Sequence, residues 1–531
     1  MVSSRVDVVV VGAGFAGIYA AWKFRQHGLS VQVFEKAPSV GGTWFWNQYP
    51  GARCDVESMD YQYSFSDSLV SQWRWTERYP AAQEIVAYLN YVTDTFDLRN
   101  DMKFETVVTS ASFDEATNSW TVRTDRSDVV TCTYVVWGTG CLSIPQQPSI
   151  EGLDSFQGET FITGLWPKDE PSFTGKRVAV VGTGSSAVQV IPEIAKEAAE
   201  LVVFQRTANY VMPAFNRPLS DTERDARLAS FQADRQKTRE SIVGLHYDET
   251  GKAIAEISLE EANEILDERW EMGGLPMYAA FVDVIFNEES NKVPANYFAA
   301  KIREAVEDPQ TAELLIPKGY AFGTKRLCVG TEYYETFNRE NVQLVSISQN
   351  AIARVTPTGL ELADGQVFDL DAIVFATGFD AVTGALLNVD ISGREGHVLK
   401  EEWINGPATY LGIAVVGYPN MFLVTGPQSP SVFSNMVVSI EQHVDWIADA
   451  ISANAGSVLE ATPQAQSAWC EHVNEIANMT LHVNTDSWYM GSNVPGKPRA
   501  FLGYLGGVGP YRAKCDEVAA AGYDGFVVTT A

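Results

Sequence analysis

Two glycine-rich turns, Gly12-Ala13-Gly14-Phe15-Ala16-Gly17 and Gly182-Thr183-Gly184-Ser185-Ser186-Ala187, each close a short apolar run and open a helical pattern. In a strand-turn-helix unit of this kind the small residues let the backbone approach a pyrophosphate. The first amides of the helix, at its positive dipole end, face that charge. Two such units predict two bound dinucleotides. The first follows the strand Val6 to Val11 and opens a helix near Phe15; the second follows Arg177 to Val181.

The residue that ends the next strand separates the two sites. The strand Leu29 to Phe34 ends in Glu35, roughly twenty residues after the first turn, where an acid grips ribose hydroxyls. The strand Leu201 to Phe204 ends instead in Gln205-Arg206-Thr207. A guanidinium there pairs with a 2′-phosphate that a carboxylate would repel. The first site therefore reads as FAD and the second as NADPH.

A chain of 531 residues is too long for one core and predicts roughly two to four domains. With a net charge of −29 it repels nucleic acid and anionic lipid, so neither is expected as a partner. Anionic cofactors then need local basic pockets, for which Lys176-Arg177, Arg206 and Lys325-Arg326 are candidates. Six scattered cysteines with no close pair fit a reducing compartment and argue against a flavin disulfide reductase, which needs a redox-active pair. The amino terminus shows no charged-then-apolar leader and no apolar run approaches about twenty residues, so a cytoplasmic location is expected. The six histidines show no metal-ligand spacing, and no metal is expected.

The predicted fold class is α/β, with two Rossmann-like dinucleotide-binding domains and a helical insertion in the second. Residues 1–141 form the first part of the FAD domain, ending at the strand Thr133 to Trp137 and the turn Gly138-Thr139-Gly140. A Pro- and Gly-punctuated stretch, Pro145 through Pro171, reads as an interdomain connection. Residues 142–215 and 321–378 form the NADPH domain, split by a helical insertion at 216–320 with amphipathic patterns such as Leu259 to Trp270. Within 321–378 lie a strand Val342 to Val345, a hairpin around Ala363-Asp364-Gly365 and a buried run Ala372 to Phe375. Residues 379–531 rejoin the FAD domain through the strand Met421 to Thr425 and a long helix beginning near Ser439.

The segment from Gly41-Gly42-Thr43-Trp44 to Arg53-Cys54-Asp55 falls directly after the predicted ribose-binding strand, which places it over the cofactor. Together with Phe156-x-Gly158, Trp166-Pro167, Lys325-Arg326 and Ala376-Thr377-Gly378, it resembles the Baeyer–Villiger monooxygenases over essentially the whole chain. The spacing from Gly426-Pro427 to Met436 is more similar to the phenylacetone and steroid monooxygenase branch than to the cyclohexanone one. The resemblance implies that NADPH reduces FAD, that O2 adds at flavin C4a, and that the resulting peroxyanion converts a ketone into an ester or lactone. The cofactor carries the hard step, so no protein nucleophile is expected.

By the same resemblance Arg326 supplies a fixed positive charge, with Asp55 as its paired carboxylate. Lys325 and Arg206, beside Thr207, carry over as contacts to the 2′-phosphate. The turn Thr183, Gly184, Ser185, Ser186, Ala187, Val188 and Gln189 carries over as the pyrophosphate cradle, with Arg53 near the nicotinamide cofactor and Cys54 among the cofactor-binding residues. For FAD the implied positions are Gly12, Gly14, Phe15, Ala16, Gly17, Glu35, Thr43, Trp44, Trp46, Asp55, Tyr61 and Val108. The segment 485–507 resembles a mobile loop that closes over NADP and substrate, with Trp488 as a lid residue and Met436 in the ketone pocket.

One position departs from the family pattern. Where the fingerprint has a histidine between Phe156-x-Gly158 and Trp166, this chain has Ile162, and Leu165 stands where a polar residue is common. Two other readings stay open. A flavin monooxygenase acting on nitrogen or sulfur would not need Arg326, and a flavin- and NADP-binding protein without efficient oxygenation would tolerate Ile162. Neither sequence nor spacing names the ketone.

Overall fold

The computed structural model describes residues 4–530; Met1-Val2-Ser3, where the sequence predicts no leader, and Ala531 lie outside the described residues. The run Val6 to Val11 is β-branched and nearly continuous in apolar residues, a pattern suited to a strand covered on both faces. It forms β1 (Ser4–Val11), in which Val8, Val9 and Val10 are fully buried, each contributing about 1.5 kcal/mol or more. The chain then passes through α1 (Phe15–Gln26), β2 (Val31–Phe34), β3 (Met102–Lys103), β4 (Val108–Asp114), β5 (Ser119–Thr124) and β6 (Val129–Trp137). The sheet order is β4-β5-β6-β1-β2-β3, with β1, β2, β3 and β6 parallel and β5 antiparallel to both its neighbours.

A second sheet begins with β7 (Glu159–Ile162), β8 (Arg177–Val181) and β9 (Glu200–Gln205). Its order is Val342–Ser346, β9, β8, Ala372–Phe375, β7, parallel throughout. Around β1 and around β8, therefore, the third and second strands lie to one side and the later strand to the other. Such a reversal of winding leaves a crevice beyond the carboxyl ends of the strands, where ligands bind in doubly wound sheets.

The stretch 145–171 is more than a connection, because β7 within it pairs with Ala372–Phe375 and forms the edge of the second sheet. The helical region is built from Asp221–Glu240, Leu259–Met272, Glu288–Ala305 and Pro309–Leu315. A capping box between Ser220 and Glu223 starts its first helix, and Tyr210, Met212, Leu266, Phe298 and Phe322 give the region a core of its own. The predicted hairpin forms between Gly359–Leu362 and Val367–Asp369.

The chain then returns to the first sheet: Asp390–Ser392 pairs with β4, and Met421–Leu423 with β6. The following helix, Met436–Ala453, starts three residues earlier than expected because the Asn435 side chain caps it, accepting the Val437 amide at 3.1 Å. Among the described residues no helix is long and apolar enough to cross a membrane.

Inside this last helix His443 is completely buried. Its Nδ1 accepts the Thr425 amide at 3.0 Å, and its Nε2 lies 2.8 Å from the Tyr511 hydroxyl, which donates to the Leu411 carbonyl. Burial pushes this imidazole down to about 4. The folded protein thus keeps His443 neutral while the unfolded chain takes up a proton below about pH 6.5. Stability from this group is complete above that value and is lost as the pH falls towards 4, by at most about 1.4 kcal/mol per pH unit. Thermal unfolding followed from pH 7.5 to 5 should show His443→Gln to be less stable than the parent at pH 7.5, with the gap narrowing as the solution is acidified.

Candidate active site

The two glycine turns are superimposable in their logic. Gly12 and Gly182 adopt φ of +102° and +115°, and a Cβ on either would sit 2.7 Å from a carbonyl oxygen, that of Gly138 in one case and Ala376 in the other. Each glycine thereby lets its turn touch the end of the neighbouring strand. Gly17 serves helix packing, since a Cβ there would lie 1.7 Å from the Gly12 carbonyl oxygen. Gly184 differs: no protein atom comes within 4 Å of a Cβ built on it, so the space before the second helix is open.

These turns border one cavity of about 1020 Å³ that runs from the carboxyl edge of the first sheet to that of the second. Every predicted site residue lines it except Gly17, Ala187 and Val188. The side chains of Ala187 and Val188 are fully buried between helix and sheet, and the Val188 amide already donates to Gly184 at 2.9 Å, so neither side chain reaches the cavity. Nor do Lys176 and Arg177 supply a basic pocket: Lys176 pairs with Glu159 and Arg177 with Asp371, away from the cavity.

At the first turn Glu35 is buried and its carboxylate accepts the Ala13 and Ala37 amides at 2.6 and 2.7 Å. Burial pushes this carboxyl up from its ordinary value, and the Ala37 and Ala13 amides pull it back. Aromatic packing builds the wall that follows. The Trp44 indole N–H donates to the Tyr61 hydroxyl at 3.1 Å, and Phe15 meets Tyr61 edge-on at 5.0 Å. Val108 closes the far end, where Thr106 and Asn388 also border the cavity.

At the second turn Arg206 and Lys325 lie on the same stretch of wall. Burial and the Arg206 charge hold the Lys325 ammonium below its usual value, with Asp486 pulling the other way. Two cations that repel one another form a site completed by a multiply charged anion. Gln189 ties this unit to the other: its Nε2 donates to the Arg53 carbonyl at 3.0 Å and its Oε1 accepts from the Tyr49 hydroxyl at 2.8 Å. The Arg53 guanidinium is engaged by Glu77 at 2.7 Å.

Between the turns stands Arg326. Its Nε and Nη2 donate to the two oxygens of Asp55 at 2.9 and 2.8 Å, and its Nη1 to the Val432 carbonyl at 2.8 Å. Burial disfavours the guanidinium charge, but Asp55 outweighs it and raises the pKa. The group is therefore a permanent, oriented cation with N–H donors left over. Met436, Ile440, Leu142 and Trp488 contribute apolar surface to the wall of the same cavity. Trp488 packs 4.4 Å from Tyr489 and is half-buried, so it is both packed and facing the cavity.

The residues that sequence reasoning passed over are mostly backbone or hidden by context. The Val432 carbonyl has no side-chain signature. Thr425, Gln428 and Ser431 lie in one seven-residue run with φ of 53°, 65° and 40°, left-handed values that nothing in their identity announces. Asn493 and Lys497 were legible only as members of a Gly- and Pro-rich loop. Ile162 does not reach the cavity; it packs into the apolar cluster holding Phe375, Leu360 and Val355. All six cysteines are free.

Comparison with known proteins places this geometry. The family described as pyridine nucleotide-disulphide oxidoreductase matches residues 9–246. Acetone monooxygenase (methyl acetate-forming) from Gordonia sp. (strain TY-5) is 40% identical over 100% of both chains. Phenazine N-monooxygenase PhzNO1 from Lysobacter antibioticus is 41% identical over 99% of this chain and 97% of its own. The solved structure of oxidized steroid monooxygenase bound to NADP aligns with a TM-score of 0.96 at 47% identity, over 99% of this chain and 100% of that one. The fold and site define a two-dinucleotide flavoprotein oxidoreductase of doubly wound α/β architecture. Within that class the chain belongs to the Baeyer–Villiger monooxygenase family.

The two glycines of the second turn are separable by experiment. Gly182→Ala should lower stability by about 1–3 kcal/mol through its left-handed φ and the Ala376 carbonyl. Gly184→Ser, with open space and a capping hydroxyl, should change it by less than about 0.5 kcal/mol. Urea denaturation of both variants measures the contrast.

Proposed function

We propose that the protein is an FAD- and NADPH-dependent monooxygenase that converts ketones to esters or lactones. One atom of O2 enters the product beside the carbonyl and the other leaves as water, with NADPH supplying the two electrons. The observation that carries this reading is Arg326, charged, held by Asp55 on one side and Val432 on the other, at the point where the two dinucleotide cradles meet.

The cradles fit the two cofactors. For FAD they offer the free first-turn amides of α1, the Glu35 carboxylate and the Trp44–Tyr61 wall; for NADPH, the open space before Gly184 and the Arg206–Lys325 pair. FAD, bound and reduced, supplies the chemistry that activates O2 and delivers one oxygen atom to a carbonyl carbon. Arg326 stabilises negative charge that develops beside it, in a cavity screened from water by Met436, Ile440 and Trp488. Asp55 fixes the plane of the guanidinium, and the Val432 carbonyl prevents its rotation about Nε. The same reading divides the chain into an FAD domain of 1–141 and 379–531, an NADPH domain of 142–215 and 321–378, and the helical insertion 216–320. The segment 485–507 is its lid.

A second reading, oxidation at nitrogen, is favoured by one of the similar proteins, the phenazine N-monooxygenase. It enters the test as a substrate class.

Purified protein should be yellow and should consume NADPH in response to members of a panel of cyclic, aryl-alkyl and linear ketones, each product gaining one labelled oxygen from 18O2. Arg326→Ala should lower ester formation at least about a hundredfold, with residual NADPH oxidation ending in hydrogen peroxide. Undiminished ester formation in that variant overturns the role of Arg326, and turnover confined to aromatic nitrogen compounds favours the second reading. Arg206→Ala combined with Lys325→Ala should raise KM for NADPH about ten- to a hundredfold and leave KM for NADH unchanged. Steady-state kinetics with both coenzymes reads the difference.

A further inference from the structure

The two sheets are joined by two chain segments that run side by side. Along them Asp380 donates its amide to the Ile144 carbonyl at 2.8 Å, Val382 to Cys141 at 2.9 Å and Gln146 to Gly378 at 2.9 Å. The Gln146 side chain adds a 3.1 Å bond to the Phe379 carbonyl. The pair forms a short two-stranded hinge between the first and second units.

The lid segment grips this hinge. Lys497 Nζ lies 2.6 Å from the Asp380 carboxylate and donates to the Ala381 carbonyl at 2.7 Å, with its side chain only 8% exposed. Asn493 donates to the Phe379 carbonyl at 2.9 Å, while its Oδ1 is buried without a protein partner and the residue borders the cavity. The lid is anchored twice more. Thr485 shares a buried 2.8 Å hydrogen bond with Thr324, next to Lys325 and Arg326. Tyr489 and Met490 sink into the core of the first unit, where the Tyr489 ring packs at a tilt 4.2 Å from Phe433, the residue after Val432. The lid thus braces the first unit, the second unit and the hinge at once.

We propose that Lys497 and Asp380 are positioning residues that form a latch between the lid and the interdomain hinge, so that the lid seals the cavity only at the unit-to-unit orientation seen here. This rests on the two-cofactor reading of the cavity given above. An ammonium buried against a carboxylate and a carbonyl tolerates little displacement, since either partner left alone is a poorly solvated charge or dipole. A change of hinge geometry that moves Asp380 therefore frees the lid, and an open lid weakens retention of NADP+ and admits water.

The test is charge reversal in the holoenzyme. Lys497→Glu and Asp380→Lys should each speed NADP+ release about tenfold, open residues 488–501 to chymotrypsin, and raise the peroxide-to-ester ratio. The double variant with both charges exchanged should restore release and protease resistance to within about threefold of the parent. Unchanged release and cleavage in the single variants overturn the latch, and so does failure of the exchange to rescue them. Should a reversed charge prevent folding, Lys497→Met with the same two readouts decides. If the parent protein takes up FAD but not NADP+, the reading of the second cradle fails instead, a result separable from any effect of the latch variants.

Discussion

Asp55 and Arg326 come from different units of the molecule, and their bidentate contact fixes the distance between the two cradles at the point where they open on each other. Both groups are shielded from bulk water, so each depends on the other for charge compensation. An ion pair of this kind adds little net stability, because desolvation offsets most of the attraction. Its value is geometric. A guanidinium clamped on two sides presents its remaining donors in one plane, and such donors stabilise a developing charge without having to reorganise first.

The rest of the site serves that placement. Gln189 bridges Tyr49 and the Arg53 carbonyl, so the loop that carries Asp55 is tied to the second turn of the helix Ser185–Glu197. Trp166, from the segment between the units, packs with Phe161 and Phe173 in the core of the second unit and meets Tyr49 edge-on at 6.5 Å. The family fingerprint thus lies at a mechanical joint, with Gly164 and Leu165 on the cavity wall and Ile162 turned away from it. This explains how Ile162 is accommodated: its environment is the apolar underside of the second sheet, where an aliphatic side chain is at ease.

How much of this could be read from the chain depends on what each level of structure needs. The two sheets were legible because β-branched runs bounded by glycine, such as Val8 to Gly12 and Ala372 to Gly378, have few alternative fates. Glu35 and Arg206 were legible because a strand's length puts its last residue at a known place. The edge strand Glu159–Ile162 was hidden by the prolines and glycines around it. Val188 was assigned to the cradle by carrying the motif one residue past the last amide free of an intrahelical partner. The grip of the lid on the hinge could not be read at all. It joins Lys497 to Asp380, more than a hundred residues apart, and no periodicity links them.

The run from Thr425 to Ser431 carries three left-handed residues that are not glycine, and it is buried throughout. Each such residue costs about 1–3 kcal/mol, so the segment holds its shape only because the walls around it, His443 among them, are already in place. A surface moulded by its surroundings can be reshaped from behind. Substitutions behind this run, away from the cavity that Thr425 borders, are then a route by which the outline of that cavity can change.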